Sequence, residues 1–175
     1  MKMTSLFKMS MLAAGMFAAL GANAADGTIN VTGNIVTTGC TIQNAMTAAE
    51  VSFGTLSPQT FTAVGTISDK KPINFVLENC PASLTSAKVF LMGKTDPDNR
   101  QLAALNAGSK ATGIGIALYN KDGALIPIDS ASAAFPIDAE TGTANIALQA
   151  AVMSTAEVVG GGDFTARTVF AMNYN

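Results

Sequence analysis

The stretch that decides the fold lies at the end of the chain, where residues 162–175 read GDFTARTVFAMNYN. Between Phe164 and Tyr174 every second side chain is apolar, with one interruption at Thr168. An alternation of period two is typical of a strand that buries one face and exposes the other. We therefore expect a strand over residues 164–174, with an inner face formed by Phe164, Ala166, Thr168, Phe170, Met172 and Tyr174.

A second one-sided strand is indicated near the other end of the chain, where residues 27–36 read GTINVTGNIV. Ile29, Val31 and Ile35 fall on one face together with Gly33, and threonines and asparagines occupy the other face. Taken alone, this pattern favours the first strand of a closed, monomeric sandwich. A second interpretation stays open, because a free alternating strand can also pair with the unpaired edge of another molecule.

Further strand signals, separated by turns, lie between these two ends. They cover residues 51–56, 70–77, 87–92, 112–120, 124–128 and 143–153. Residues 120–123 read NKDG, a turn signal that predicts a hairpin between the strands on either side. Residues 101–107 are consistent with a short helical turn, and sustained helical periodicity is otherwise almost missing. The pattern indicates an all-β antiparallel sandwich.

The first 24 residues have the order of a secretory signal peptide. Lys2 and Lys8 precede an apolar run over residues 9–20, and Ala22, Asn23 and Ala24 have the small-x-small form of a cleavage site. The run is shorter than the ~20 residues of a membrane span, although an uncleaved anchor or core helix is the alternative. We expect a mature chain that begins at Ala25 and does not insert into a membrane.

Cys40 and Cys80 are the only cysteines, and both follow the predicted cleavage site. Export places them in an oxidising compartment, where paired thiols form a disulfide. Closing a loop of this length stabilises a fold by roughly 4 kcal/mol in the chain-entropy model. A redox pair or a metal site is the alternative, but the CxxC spacing and further ligands are missing.

Composition argues against several classes of function. Ten Lys and Arg stand against twelve Asp and Glu, with a sequence pI near 4.9, so a nucleic-acid binder is not expected. The chain has no His, the commonest general base and zinc ligand. Asp96, Asp98 and Asn99 lack the glycine and distal glutamate of a calcium loop and indicate a solvated turn. We expect no catalytic residues, no metal and no cofactor.

Together, the order and spacing of these features resemble fimbrial subunits of the chaperone–usher pathway. Members of that family carry an alternating C-terminal strand, a penultimate tyrosine and a glycine fourteen positions from the end. Tyr174 and Gly162 occupy those positions here. The resemblance covers essentially the whole chain, including the signal peptide, the strand of residues 27–36 and the two cysteines.

The resemblance implies an incomplete Ig-like antiparallel β-sandwich that lacks its last strand. The implied organisation is a signal peptide (1–24), a donor-strand extension (25–37) and an Ig-like pilin domain (38–175). A periplasmic chaperone would lend a strand beside residues 164–174, and the extension of the next subunit would replace it at the outer-membrane usher. The inserted face would be Gly27, Ile29, Val31, Gly33 and Ile35, although related donor strands often carry a larger apolar residue where Gly27 stands.

The resemblance thus leads us to expect a structural subunit that polymerises head-to-tail by donor-strand exchange into a cell-surface fibre used in adhesion. Its partners would be further copies of itself, related pilins, the chaperone and the usher. The alternative is a secreted monomeric Ig-like module that binds carbohydrate or protein. A small secreted hydrolase would need a carboxylate pair in a pocket, and no spacing indicates one.

Overall fold

The structure, a computed structural model, describes residues 39–43 and 49–175. Within these ranges, segments of alternating apolar residues form strands. These residues contain eight strands, and a turn of 3-10 helix lies at Pro58–Thr60. The strands are β1 (Thr41–Ile42), β2 (Lys71–Glu78), β3 (Ser86–Met92), β4 (Ile114–Asn120), β5 (Leu125–Ile126), β6 (Phe135–Pro136), β7 (Ala144–Ser154) and β8 (Val169–Tyr174). In the part of the chain that the structure describes, no helix has the length and apolar character needed to cross a membrane.

The strands form two sheets, and every pairing within them is antiparallel. One sheet has the order β1-β2-β7-β4-β5, and the other has the order β6-β3-β8. The core consists of inward-facing side chains from both sheets, among them Leu77 and Ile146 from one and Val89 from the other. The all-β antiparallel sandwich predicted from period-two alternation is confirmed.

The long strands agree with the sequence pattern to within one or two residues at most ends. The predicted hairpin is also present, since β4 pairs with β5 through Leu118 and Ile126. In the turn between them, Gly123 has a φ of +90° and donates its backbone N–H to the Asn120 carbonyl at 2.9 Å. Asp-Gly turn chemistry was a reliable signal here because glycine adopts this φ without strain.

Three predictions of secondary structure differ from the structure, and one strand was not predicted. Residues 51–56 form no strand, residues 101–107 form no helix, β6 was not predicted, and the C-terminal strand begins at Val169 instead of Phe164. Val51 and Phe53 do point toward the core, but no strand lies beside them in the described part of the chain. Alternation reports which face is buried and does not report whether a neighbouring strand supplies a ladder.

The C-terminal segment is shorter as a strand because its first residues lie beside a loop. The Asn106 N–H donates to the Thr165 carbonyl at 2.8 Å, and Ala166 forms an isolated bridge with Leu105. The chain reaches β3 only later, where Val169 pairs with Met92. Ala103, in the stretch expected to be helical, instead bridges both Thr95 and Ile116.

The predicted disulfide joins Cys40 to Cys80, with Cα atoms 4.2 Å apart. Cys80 follows the end of β2, and its N–H donates to the Gly142 carbonyl at 2.9 Å. Beside the disulfide, β1 pairs with β2 over only two positions, Thr41 with Glu78 and Ile42 with Leu77. The disulfide is therefore the strongest attachment of the described N-terminal segment to the sandwich.

The turn at residues 138–142 makes stability depend on pH. The Asp138 carboxylate accepts hydrogen bonds from the backbone N–H groups of Thr141 and Glu140, at 2.9 and 2.8 Å, which lower the pKa of Asp138 below its ordinary value. A lowered carboxyl pKa contributes stability above the unfolded-state pKa, and this contribution is lost as the pH falls through the folded value. Asp138→Asn should therefore flatten the fall in unfolding free energy below about pH 4. Denaturant titrations at pH 7 and pH 3 measure it, and an unchanged acid dependence would contradict the assignment.

Candidate functional site

The inner face of the C-terminal segment is only half-buried, although its side chains point toward the core. We call the side chains of this face the C-terminal row: Phe164, Ala166, Thr168, Phe170, Met172 and Tyr174. The alternate residues Thr165, Arg167, Val169 and Asn173 are exposed. All residues predicted for the acceptor face except Thr168 pack against the core on one surface, and Thr168 is also half-buried.

The neighbouring strand shows how incomplete this burial is. Three cross-strand pairs join β3 to β8 on the inner face: Ala87 with Tyr174, Val89 with Met172, and Leu91 with Phe170. The β3 members of these pairs are at most 4% exposed. Their β8 partners are all partly exposed. Since both strands share one face, the difference arises from the second edge of β8, which no strand covers among the described residues.

The backbone of β8 is open on the same side. Ser86 and Asn175 exchange both backbone hydrogen bonds, at 3.2 and 3.0 Å, so the groups of every second residue along β8 point toward β3. The N–H and C=O groups of Phe170, Met172 and Tyr174 consequently point toward the free edge. Each of these residues offers an apolar side chain to the interior and a peptide group that no described residue pairs with, so the edge can receive a strand.

Aromatic side chains from the rest of the sandwich form the floor and far wall of this open face. The Phe170 ring packs on Phe75 of β2 with centroids 5.5 Å apart, and Phe164 lies 6.4 Å from Phe53. Val51 and Leu56, on the same segment as Phe53, are also half-buried against the core. We call this half-exposed apolar face along the free edge of β8, bordered by residues 51–56, the groove. Sequence reasoning identified residues 51–56 as a strand but not as part of the site.

One end of the groove, the groove head, is shaped by glycines. A cavity of about 40 Å³ lies there between Gly160–Gly162, Phe164, Leu56 and Ile114. Gly162 has a φ of +152°, and a Cβ atom on it would lie 2.6 Å from Lys110 Cβ and 2.9 Å from Ala111 N. The next residue, Asp163, accepts the Lys110 N–H at 2.8 Å. Only glycine fits where the chain passes so close to a second backbone.

Substituting this glycine should damage the groove head. Gly162→Ala is expected to destabilise the fold by about 2–4 kcal/mol, because the added methyl group meets backbone and the φ disfavours any side chain. Gly161→Ala is the matched control, since its added Cβ would meet only Pro58 Cγ, at 4.0 Å. Denaturant unfolding of the two variants measures the difference. Equal midpoints for both would contradict the steric argument.

The opposite end, the groove foot, is closed by contact between Tyr174 and Gly39. A Cβ atom on Gly39 would lie 2.9 Å from Tyr174 Cε2, so a larger residue would displace the ring. Burial raises the pKa of Tyr174, and a hydrogen bond from the backbone of Cys40 opposes that rise. Sequence reasoning missed Gly39, although its place beside Cys40 was a usable signal for close packing.

The remaining predicted residues either lie outside the described part of the chain or can be compared with the structure directly. The donor residues Gly27, Ile29, Val31, Gly33 and Ile35 lie outside the described residues, as does the predicted signal peptide. The Asp96 turn is present, but Asp96 is buried instead of solvated, and its carboxylate accepts the N–H groups of Asp98 and Asn99 at 3.0 and 3.1 Å. In residues 39–43 and 49–175, no group of three His, Cys, Asp or Glu side chains could hold a metal.

Comparison with known sequences finds fimbrial proteins among the relatives of this chain. The sequence model of the fimbrial protein family matches residues 29–175. Long polar fimbria protein A of Salmonella typhimurium is 33% identical over 127 residues, covering 71% of this chain and 71% of that protein.

Solved structures of fimbrial and pilus subunits have a fold similar to that of this chain. The Burkholderia pseudomallei antigen and type I fimbria protein BPSL1626 is 33% identical, with a TM-score of 0.61 over 85% of this chain and 97% of that one. The P pilus rod subunit PapA shares the fold at 20% identity, with a TM-score of 0.66 over 79% of this chain and 100% of that one. The incomplete Ig-like antiparallel sandwich expected from the sequence is thus confirmed.

Proposed function

Because this chain belongs to the fimbrial protein family, we propose that its groove accepts a strand from a second copy and so links subunits head-to-tail into a surface fibre. One observation carries the proposal: the inner face of β8 is half-exposed beside fully buried neighbours on β3. Backbone groups without a partner among the described residues lie along the same edge. A strand with one apolar face would satisfy both deficits at once.

The donor strand of this proposal is the alternating segment near the N-terminus of the same chain. Ile29, Val31 and Ile35 would enter the groove, each contributing ~1.5–3 kcal/mol on burial, and each new backbone hydrogen bond would add ~1 kcal/mol net. A slip by one residue would place threonines and asparagines in the groove, so the alternation also sets the register. Gly27 and Gly33 complete the inserted face with minimal volume.

An antiparallel donor strand suits a sandwich in which every described pairing is antiparallel. In that orientation Ile35 lies at the groove head, beside Gly162, and Gly27 lies toward the foot, beside Tyr174. Donor and acceptor surfaces occupy different parts of one chain, so the contact is heterologous and generates an open filament. The subunit can therefore add copies indefinitely.

Export and assembly follow from the same proposal. Residues 1–24 direct the chain through the periplasm, residues 25–37 are the donor extension, and residues 38–175 are the pilin domain. A periplasmic chaperone covers the groove beside β8 until the outer-membrane usher exchanges it for a donor strand. The role is structural rather than catalytic, and the fibre serves adhesion at the cell surface.

Heating of purified surface fibres tests the proposal. Mild heating in detergent should give a ladder of bands spaced by one subunit, because strand-exchanged contacts resist detergent but are not covalent. Boiling should collapse the ladder to the monomer. A single monomer band after the mildest treatment would contradict polymerisation by strand exchange and would favour a monomeric binding module.

A further inference from the structure

Two valines are exposed at the groove head, outside the groove itself. Val158 is 81% exposed and Val64 is 58% exposed. They lie on the loops of residues 155–163 and 63–66, which we call the head surface. Neither valine faces the interior, and neither belongs to the C-terminal row. The strand-exchange contact therefore leaves both of them unexplained.

Backbone hydrogen bonds hold both loops at the same end of the domain. Ser154, the last residue of β7, accepts the Gly65 N–H at 2.9 Å, and its hydroxyl donates to the Ala63 carbonyl at 2.6 Å. Directly after it, Thr155 donates its N–H to the Gly113 carbonyl at 2.8 Å. The chain then continues through Val158 to the glycines of the groove head. The head surface is thus built onto the end of the sandwich.

The segment between the donor strand and Cys40 is short enough to hold a second copy close to this surface. If Ile35 of a donor strand lies at the groove head, five residue steps lead to Cys40 of the same donor copy, a span of at most roughly 17 Å. Cys40 is held by its disulfide to Cys80, which begins the loop of residues 80–85. We call this loop the base loop. The Cys40 end of the donor copy must therefore lie next to the head of the acceptor copy.

The base loop is short and uncharged. It reads CPASLT over residues 80–85 and carries no charged side chain. Ala82 and Ser83 are exposed, and Leu84 is buried beneath them. At the end of the loop, Thr85 donates its N–H to the carbonyl of Asn175 at 2.7 Å, which fixes the loop at the groove foot. Such a small loop brings no charge of its own against the exposed valines.

We propose that the head surface, through Val158 and Val64, is a second contact between subunits, occupied by the base loop of the copy that donates its strand. This inference rests on the proposed function, because only an inserted donor strand brings the two surfaces together. The contact limits how freely one subunit swings on its short linker. It also adds to the hold of the donor strand by covering the point where the strand leaves the groove.

Photocross-linking in assembled fibres tests this contact. A photoreactive p-benzoylphenylalanine in place of Val158 should form products with residues 80–85 of the neighbouring copy, identified by mass spectrometry. The same photoreactive residue in place of Lys121, in the β4–β5 turn, should give no product with those residues. Products from position 158 that map elsewhere, or none at all in intact fibres, would overturn the inference.

A second measurement separates this contact from strand exchange itself. The double variant Val64→Ser/Val158→Ser should still bind a synthetic peptide of residues 25–37 like the unaltered subunit, because the groove is unchanged. Its fibres should lose subunits to an excess of that peptide roughly tenfold faster. An unchanged exchange rate would refute the contact between the head surface and the base loop and would leave the proposed function intact. Failure of the unaltered subunit to bind the peptide would instead refute strand exchange.

Discussion

A chain that lacks residues 25–35 should form no fibres, although its sandwich can still accept a strand. The deletion removes Ile29, Val31 and Ile35, each of which would contribute ~1.5–3 kcal/mol on burial, together with the backbone hydrogen bonds of a strand. The described residues that form the groove, in contrast, all lie at position 39 or later. We therefore expect complete loss of polymer by sizing and by the detergent ladder, with binding of the proposed periplasmic chaperone retained.

A synthetic peptide provides the control for this deletion. A peptide of residues 25–37 should bind the truncated subunit and raise its unfolding temperature, because it covers the half-exposed row on β8. Val31→Asn in the peptide should weaken binding at least tenfold, since it places an amide in an apolar groove. The matched change Thr32→Asn, on the outward face, should have little effect. Normal fibres from the truncated chain would refute the donor role of this segment.

Removal of the disulfide should be the largest single loss of stability in the domain. Cys40→Ser combined with Cys80→Ser is expected to cost roughly 4 kcal/mol, because the loop between them is long. The structure adds a local reason to the entropic one, because β1 pairs with β2 over only two positions and hydrogen bonds alone hold it weakly. Without the disulfide, Gly39 and Cys40 are no longer held covalently to the sandwich. The groove foot, where Tyr174 packs on Gly39, is then no longer fixed.

Denaturant unfolding of the double variant and of the reduced unaltered protein should give the same lowered midpoint. That agreement would assign the loss to the covalent link and not to the serine side chains. Peptide binding at the groove should weaken in parallel, because the foot of the groove is no longer closed. A midpoint equal to that of the oxidised protein would contradict the prediction.

Much of the fold was accessible from the sequence because burial of one face imposes a period of two. The strands β2, β3 and β7 follow that alternation closely, whereas β4 is buried on both faces, and the hairpin after Asn120 follows from Asp-Gly turn chemistry. The partnership of Cys40 with Cys80 followed from their number and the expected compartment. Each of these signals is local, or allows only one pairing, so no knowledge of the packing was needed.

Other features depended on what lies beside each segment. Val51 and Phe53 alternate like a strand, but no neighbouring strand completes a ladder in the described part of the chain. Asp96 looked like a solvated turn residue, yet folding buries it and the backbone N–H groups of Asp98 and Asn99 satisfy its carboxylate. Local composition carries no information about which surfaces come together, and these outcomes were decided by such contacts.

The sequence by itself determined which side chains of residues 164–174 share a face, because alternation in an extended chain leaves them no other arrangement. Only the tertiary structure decided that this face is half-exposed while the paired face of β3 is buried. The reason is that β8 lies at the edge of its sheet in the described part of the chain. Whether a strand has one neighbour or two is a property of the assembled sheets.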